Sequence, residues 1–180
     1  ASVIGLTTGR ETSQRLNSLL KELASTIPNS RISRRGKSNL EELGRRLLDE
    51  EISHAIAIYR YHGGPGRIDL FNVKPAGMIP VPPSILLSSV ILRKEYGISG
   101  RGHLCSAITY ANTSTAARRL GHALSGILEL PELQPNETIA CSLHIRNTSK
   151  GSTELVFTSP ATKREIGPKL VISQLLWRQE

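Results

Sequence analysis

The sequence SVIGLTTGRETSQRLNSLLKELAST, residues 2–26, contains the pattern that best predicts the fold of this chain. It begins with a short, β-branched apolar run that ends at Thr7, and its second part, after Glu11, is rich in leucine. The leucines stand at helical spacing, at Leu16, Leu19, Leu20 and Leu23. We therefore predict a strand, a turn and a helix that ends at Thr26, which is a typical opening of an α/β protein.

The next segment predicts a second helix. Residues 27–33 look extended, and Ser38 is placed to cap a helix whose capping box is completed by Glu41. The apolar stripe of this helix consists of Leu40, Leu43, Leu47 and Leu48.

A β-hairpin is predicted after that helix. Residues 54–61 and 67–73 alternate like strands and flank the breaker cluster Gly63-Gly64-Pro65-Gly66. Prolines then follow at Pro75, Pro80, Pro82 and Pro83. They predict an irregular extended connection, followed by a buried strand at residues 84–92.

The second part of the chain repeats this order. Three glycines within residues 96–102 predict an internal boundary, so we expect two halves, 1–95 and 103–180, packed as one domain. In the second half, helix 115–128 follows a cap within residues 112–114. Strands are predicted at residues 103–110, 138–146, 153–158 and 170–177. Each half then consists of a strand, a helix, an antiparallel hairpin and a return strand, by duplication or by chance resemblance.

The charge of the chain predicts a polyanionic partner. The formal net charge is +8, and residues 1–90 carry 12 basic and 8 acidic side chains while residues 91–180 carry 11 and 7. Because no tail holds the excess, we expect a folded basic surface. Aromatic residues make up only 4% of the chain, which disfavours a sheet that stacks splayed bases and favours contact through phosphates and shape.

Residues 31–37, Arg-Ile-Ser-Arg-Arg-Gly-Lys, carry four positive charges and no acid. The predicted loop ends at a helix N-terminus, whose amides would add to its affinity for phosphate. A solvated charged face is the alternative interpretation. The leading predicted RNA contacts are Arg10, Arg34, Arg35 and Lys37. Secondary predicted contacts are Arg60, Arg67 and Lys94.

The sequence matches no catalytic template, so we expect neither an enzyme nor a cofactor or small-molecule substrate. The ligand types of a zinc site occur in His103, Cys105, Cys141 and His144. On a strand, however, Cys141 and His144 would face opposite ways, so two buried cysteines fit better than a metal site, and a disulfide remains open. The chain shows neither a leader nor a long apolar run, so we expect no membrane contact and a cytoplasmic protein, or a nucleolar one in a eukaryote.

Four short motifs occur in a recognisable order in the first half. They are Thr7-Thr8-Gly9-Arg10 with Ser13, Ile27-Pro28-Asn29-Ser30, Arg34-Arg35-Gly36-Lys37 and His62-Gly63-Gly64-Pro65-Gly66. In these motifs the chain resembles the Brix-domain family of ribosome-assembly proteins, and its small archaeal members in particular. The second half resembles that family only in its predicted architecture. Residues 75–80 depart from the Pro-x-Gly-Pro-Thr pattern of the family.

The resemblance implies two similar α/β halves, each similar to the anticodon-binding domain of class II aminoacyl-tRNA synthetases. It also implies a non-catalytic role in ribosome biogenesis, with pre-rRNA or a small guide RNA and other ribosome-assembly proteins as partners. Two alternative hypotheses are a protein-interaction module and a tRNA- or synthetase-associated module. If about five phosphates are neutralised, log affinity should change with log salt with a slope of roughly −3.5 to −4.5.

Overall fold

A computed structural model describes residues 2–98, 102–111 and 113–177. The strands of these segments are β1 Val3–Thr8, β2 Ser30–Ile32, β3 Ile52–Tyr61, β4 Gly64–Lys74, β5 Gly77–Ile91, β6 Ala107–Ala111, β7 Ser142–Asn147, β8 Thr153–Ser159 and β9 Arg164–Leu176. The α-helices are α1 Gln14–Thr26, α2 Leu40–Asp49 and α3 Thr115–Leu128, and a short 3₁₀ turn spans Arg93–Tyr96. The prediction of an α/β fold is confirmed.

Within the described segments all nine strands form one sheet, in the order β2-β1-β3-β4-β5-β9-β8-β7-β6. β1 is parallel to β2 and β3, β6 is parallel to β7, and the other neighbours are antiparallel. β5 and β9 pair at the centre, where Val90 lies opposite Leu170. The order of strand, helix, parallel strand and two antiparallel strands therefore occurs on each side of this central pair, and a duplication remains a prediction.

The helices cover the sheet unequally. α1 and α3 share one face, where their leucines join Ile56, Ile58, Leu143 and Leu155 in a large apolar core. α2 packs on the opposite face through Leu43 and Leu47, against a smaller cluster that includes Phe71 and Val73. None of the described helices is long and apolar enough to cross a membrane.

Both predicted hairpins are present, as β3 with β4 and β7 with β8. Helix α3 has the predicted bounds, and the hydroxyl of its N-cap Ser114 accepts a hydrogen bond from the amide of Ala117. Asn112, which belonged to the predicted cap, lies outside the described residues, as do residues 99–101 of the predicted boundary. The strand predicted from residue 103 begins only at Ala107.

The irregular connection predicted for residues 75–83 is wrong. Residues 77–91 form the single long strand β5, which contains Pro80, Pro82 and Pro83. Among the described residues, β9 pairs with β5 only from Ser84 onwards, so the proline-bearing part of β5 pairs there with β4 alone. Prolines fit such an edge because no second ladder there needs their missing amide hydrogens.

Two local predictions also need correction or completion. The N-cap of α2 is Asn39 and not Ser38, because the Asn39 side chain accepts the amide hydrogen of Glu42 at 2.8 Å. The thiols of Cys105 and Cys141 are both buried and free, with their sulfurs 3.5 Å apart. Burial, together with the Cys141 neighbour, raises the pKa of Cys105 strongly, which keeps this thiol protonated.

Candidate nucleic-acid interface

The basic loop connects the edge strand β2 to the N-terminus of α2. The amide of Ser33 donates to the carbonyl of Leu6 at 2.9 Å, which keeps the start of the loop on β1. From α2, the Arg46 guanidinium donates to the carbonyl of Arg34. The loop is therefore attached at both ends to regular structure.

Arg35 points into the molecule and shapes the loop. Its side chain is buried, and its guanidinium donates to the carbonyl of Ser38 at 2.7 Å and to the carbonyl of Thr8 at 3.3 Å. It also lies beside the Tyr59 phenol, whose pKa is raised by burial and by Asp69 while Arg35 opposes the rise. The buried guanidinium holds the loop against the end of β1, so its neighbours in the loop face outward.

A cleft of about 340 Å³ lies between this loop, the end of β1 and the start of α1. It is lined by Thr8, Arg10, Thr12, Asn17, Leu20, Ser33, Arg34, Arg35, Gly36 and Lys37. None of these lining residues is acidic. We call this cavity the basic cleft.

Three of the predicted contacts present their charges to the basic cleft. Arg10, Arg34 and Lys37 are all exposed. The Arg10 guanidinium is 3.5 Å from the carbonyl of Ser38, and the Arg34 guanidinium is 3.4 Å from the Asn17 side-chain oxygen. Such long contacts are weak, so both guanidinium groups can turn to a stronger acceptor.

The N-terminus of α1 forms one wall of the basic cleft through Thr12 and Asn17. Ser13 caps this helix by accepting the amide hydrogen of Leu16 at 3.2 Å, and its first turn contains no acidic residue. The helix dipole therefore adds positive potential on the same side as the arginines. Together these features favour an anion with several acceptor oxygens.

The secondary contacts are dispersed. Arg60 lies beside the basic cleft, because its guanidinium donates to the carbonyl of Thr12 at 3.4 Å. Arg67 is on the α2 face of the sheet, where it donates to Asp69 at 3.0 Å and to Ser84 at 3.2 Å. Lys94 is on the 3₁₀ turn, with its ammonium 3.2 Å from the Ser18 hydroxyl. Of these three residues, only Arg60 extends the basic cleft.

Several lining residues were not predicted from the sequence. Thr12 and Asn17 carry no distinctive pattern, since they are ordinary polar residues before and within an amphipathic helix. Arg46, which lies outside the lining, was not singled out either, although it supports the loop backbone. A helical projection of α2 could have indicated this role, because Arg46 lies three residues after Leu43 and therefore flanks the leucine stripe that packs on the sheet.

Metal chemistry finds no support in the described part of the chain, where no group of three or more His, Cys, Asp or Glu side chains could hold an ion. The pair Cys105 and Cys141 is enclosed by the core.

Comparison with known proteins places the chain by its fold. The chain is similar in fold to solved structures of two archaeal proteins, a probable ribosomal biogenesis protein and an Imp4-like protein. No family model matches the sequence. A curated relative, a probable Brix domain-containing ribosomal biogenesis protein of Aeropyrum pernix, is 29% identical over 90 residues, and the match covers 50% of this chain and 50% of the relative.

The structural likeness extends over the whole chain. A crystal structure of a probable ribosomal biogenesis protein from Aeropyrum pernix K1 is similar with a TM-score of 0.79 and 22% identity, over 100% of this chain and 98% of the other. The crystal structure of Mil, an archaeal Imp4-like protein, is similar with a TM-score of 0.68 and 19% identity, over 97% and 99% of the two chains. The resemblance to Brix-domain proteins that the four motifs indicated is thereby confirmed.

Proposed function

We propose that this chain is a non-catalytic RNA-binding factor of ribosome biogenesis that holds structured rRNA by its phosphates in the basic cleft. The observation that carries this function is the convergence of Arg10, Arg34 and Lys37 on one acid-free cleft at the N-terminus of α1. Two similar proteins are named as ribosomal biogenesis proteins, and this supports ribosome assembly as the process in which the chain acts.

The geometry supports phosphate as the bound group. Arg10 and Arg34 provide forked donors that match phosphate oxygens, and Lys37 provides a mobile charge. Because Arg35 already bonds Ser38 and Thr8, we now assign it the role of shaping the cleft. Arg60, whose guanidinium lies at Thr12, extends the positive surface beyond the basic cleft.

Within this function the partners are pre-rRNA or a small guide RNA and other ribosome-assembly proteins, in the cytoplasm of an archaeal cell or the nucleolus of a eukaryotic one. The function includes no reaction, cofactor, metal or small-molecule substrate. Phosphate contacts position the protein without reading bases, so shape and the spacing of phosphates provide the selectivity at this cleft.

The test is RNA binding by a charge-reversed variant, with rRNA transcripts and fluorescence anisotropy at several salt concentrations. Arg10→Glu, Arg34→Glu and Lys37→Glu are combined, and Arg35 is left in place so that the loop keeps its anchor. We expect most of the affinity to be lost. For the corresponding neutral variant with Gln at the three positions, the salt slope should fall by roughly 2 to 3, because each lost phosphate contact removes about 0.7–0.9.

The matched control combines Lys74→Glu, Lys150→Glu and Arg164→Glu, at three residues that are exposed and lie outside the basic cleft. It also reverses three positive charges, so a nonspecific effect of net charge would appear in both variants. Unchanged affinity in the cleft variant would contradict the proposed function. Equal affinity for tRNA and rRNA would favour the tRNA-associated alternative, and retention of assembly proteins without RNA binding would favour the protein-interaction module.

A further inference from the structure

The tip of the β3–β4 hairpin presents an aromatic side chain to solvent. Tyr61 is 66% exposed, the largest exposed fraction among the large apolar side chains of the described segments. A large exposed ring is more informative than an exposed aliphatic side chain, because its flat face can stack on another flat group.

The hairpin holds this ring on a short, well-defined turn. Tyr61 pairs with Gly64, so His62 and Gly63 are the two central residues. Both have positive φ, 49° and 83°, which is the pattern of a type I′ turn. Such a two-residue turn leaves the flanking strands little freedom, so the ring is fixed to the sheet and does not hang from a loose loop.

Two neighbours fix the orientation of the Tyr61 ring. The ring of His62 meets it edge to face, with the centroids 4.0 Å apart and the planes at 67°. Gly66 lies across the hairpin from Tyr61, so close that an added Cβ would be only 2.2 Å from the Tyr61 Cβ. Gly66 therefore lets Tyr61 lie close to the strand, and the outward part of the ring stays open.

The hairpin tip adjoins the basic cleft. Arg60, next to Tyr61, donates to the carbonyl of Thr12, which lines the cleft. The amide of Gly9 donates to the carbonyl of Ile58 at 3.0 Å, so β1 ends beside Ile58 of β3. Tyr61 lies three residues beyond Ile58, which is about 10 Å along a strand.

We propose that the Tyr61 ring, whose orientation is fixed by the edge-to-face contact with His62, is a stacking site for an unpaired base of an RNA. The phosphates of the same RNA lie in the basic cleft. The inference deepens the proposed function and rests on it. Unpaired bases in loops, bulges and ends are available for stacking on aromatic rings, whereas paired bases are not. Stacking tolerates any base, so this site selects RNA with an unpaired nucleotide and not a particular sequence.

The positive charges beside the ring favour RNA as the occupant. Arg60, the residue before Tyr61, is exposed and its guanidinium lies at Thr12 beside the basic cleft, which suits a ligand that combines a flat base with a charged backbone. This single site differs from a sheet surface that stacks several splayed bases, for which the chain has too few aromatic residues.

The experiment compares Tyr61→Ala with wild type on two RNAs of equal length, a stem with an unpaired loop and a fully paired duplex. Tyr61→Ala should weaken binding of the loop RNA by roughly 5- to 100-fold, which is the usual effect of losing one base stack. Binding of the duplex should not change. The salt slope should stay the same on both RNAs, because no charge is removed.

Two further variants make the result specific. Tyr61→Phe keeps the ring and should retain loop-RNA affinity. Leu104→Ala removes another apolar side chain, which is 60% exposed. Leu104 lies at the opposite end of α1, because the amide of its neighbour Cys105 donates to the carbonyl of Thr26, the last residue of that helix. Leu104→Ala should have no effect on the binding of either RNA. A 5-iodouridine in the loop should crosslink to Tyr61 on irradiation.

Each outcome decides the inference. Wild-type affinity of Tyr61→Ala for the loop RNA would overturn it while leaving the basic cleft intact as the phosphate site. Equal weakening on both RNAs, or a loss of binding in Tyr61→Phe, would overturn it in favour of a structural role. If the wild-type protein binds neither RNA, the proposed function and the stacking site both fail.

Discussion

One face of the sheet carries α1 and α3. The two sides of the sheet, β1–β5 and β6–β9, differ in what covers the other face. On the β1–β5 side α2 covers it, and the residues beneath are apolar, including Ala55, Ala57, Phe71 and Val73. On the β6–β9 side no described helix covers it, and the strands present polar side chains there. Thr109 contacts the Ser142 hydroxyl at 2.9 Å and the His144 ring at 2.7 Å.

Two cations of this polar face are neutralised by their own neighbours. Arg146 bonds Glu154 at 2.9 Å and Glu165 at 2.6 Å, and Lys169 lies 3.6 Å from Glu165. In the basic cleft, by contrast, Arg10 and Arg34 face no lining carboxylate. Net charge is similar in the two halves, so the difference is one of pairing and not of composition.

The space that corresponds to the basic cleft is also filled on the β6–β9 side. Counted from the N-caps, Gly121 of α3 takes the place of Leu20 of α1, which lines the cleft. The ring of Tyr110 lies against Gly121, and its hydroxyl donates to Glu132. A ring and a carboxylate thus occupy the region where the first side holds an open, basic space.

One segment explains these differences. Between α1 and β3 the chain inserts β2, the basic loop and α2, whereas residues 129–141 between α3 and β7 contain no helix or strand and bridge to β6 through Glu132 and Ile108. The insertion brings the apolar cover and the basic loop together. Without it, the exposed face must be polar and must balance its own charges.

The largest expected effect tests the apolar cover. Leu47→Ala should lower the free energy of unfolding by about 2–5 kcal/mol, because Leu47 is fully buried between α2 and the sheet. Leu48→Ala, on the exposed side of the same helix, should change it by no more than about 0.5 kcal/mol. Urea unfolding measures both, and equal losses would contradict the packing of α2 through one face.

A smaller effect tests the self-neutralised face. Arg146→Met should lower the free energy of unfolding, measured by urea unfolding, by roughly 1.5–3 kcal/mol, because it removes charged hydrogen bonds to Glu154 and Glu165. Arg164→Met, at an exposed arginine on β9, is the control with little expected effect.

The same variant has a pH signature. Burial acts to raise the pKa of Glu165, but the hydrogen bond from Arg146 and the nearby charges of Lys169 and Arg146 outweigh it, so the net pKa is lowered. A carboxyl with a lowered pKa stabilises the fold above its unfolded pKa of about 4.3, and that stability is lost as the pH falls through its folded pKa. Arg146→Met should flatten the decline of unfolding free energy below about pH 4.5. An unchanged decline of the unfolding free energy would show that the pKa of Glu165 does not depend on Arg146.

The smallest effect concerns the close packing of α3. Gly126→Ala should raise the free energy of unfolding by about 0.5–1 kcal/mol, because Gly126 faces open space in a helix that alanine favours. Gly121→Ala in the same helix should lower it, since its Cβ would lie 2.6 Å from the Tyr110 ring. Thermal unfolding compares the pair, and stabilisation by both would mean that the ring does not close this space.

Much of the fold followed from local patterns. The bounds of α3 and the two hairpins were predicted because periodicity, a capping serine and glycine-rich turns act within a few residues of one another. β5 was mispredicted because proline tolerance depends on which strand lies alongside, and β9 reaches β5 only at Ser84. Asn39 was missed as the cap because Ser38 and Asn39 are both good N-cap residues.

The candidate site shows the same division. The sequence placed Arg34, Arg35 and Lys37 in one basic loop, yet it could not distinguish their roles. Arg35 turns inward because its acceptor, the Thr8 carbonyl, is brought to it from 27 positions away along the chain. Tyr61 was not singled out, because its exposure depends on the hairpin turn and on Gly66 across the hairpin.

The sequence by itself determined the α/β class, the basic character of the loop at residues 31–37 and the likeness to Brix-domain proteins, since each depends on residues close together in the chain. Only the tertiary structure decided which arginines are buried and which are open. Burial and neutralisation are set by partners that the sheet brings together from distant segments, and no local pattern contains that information.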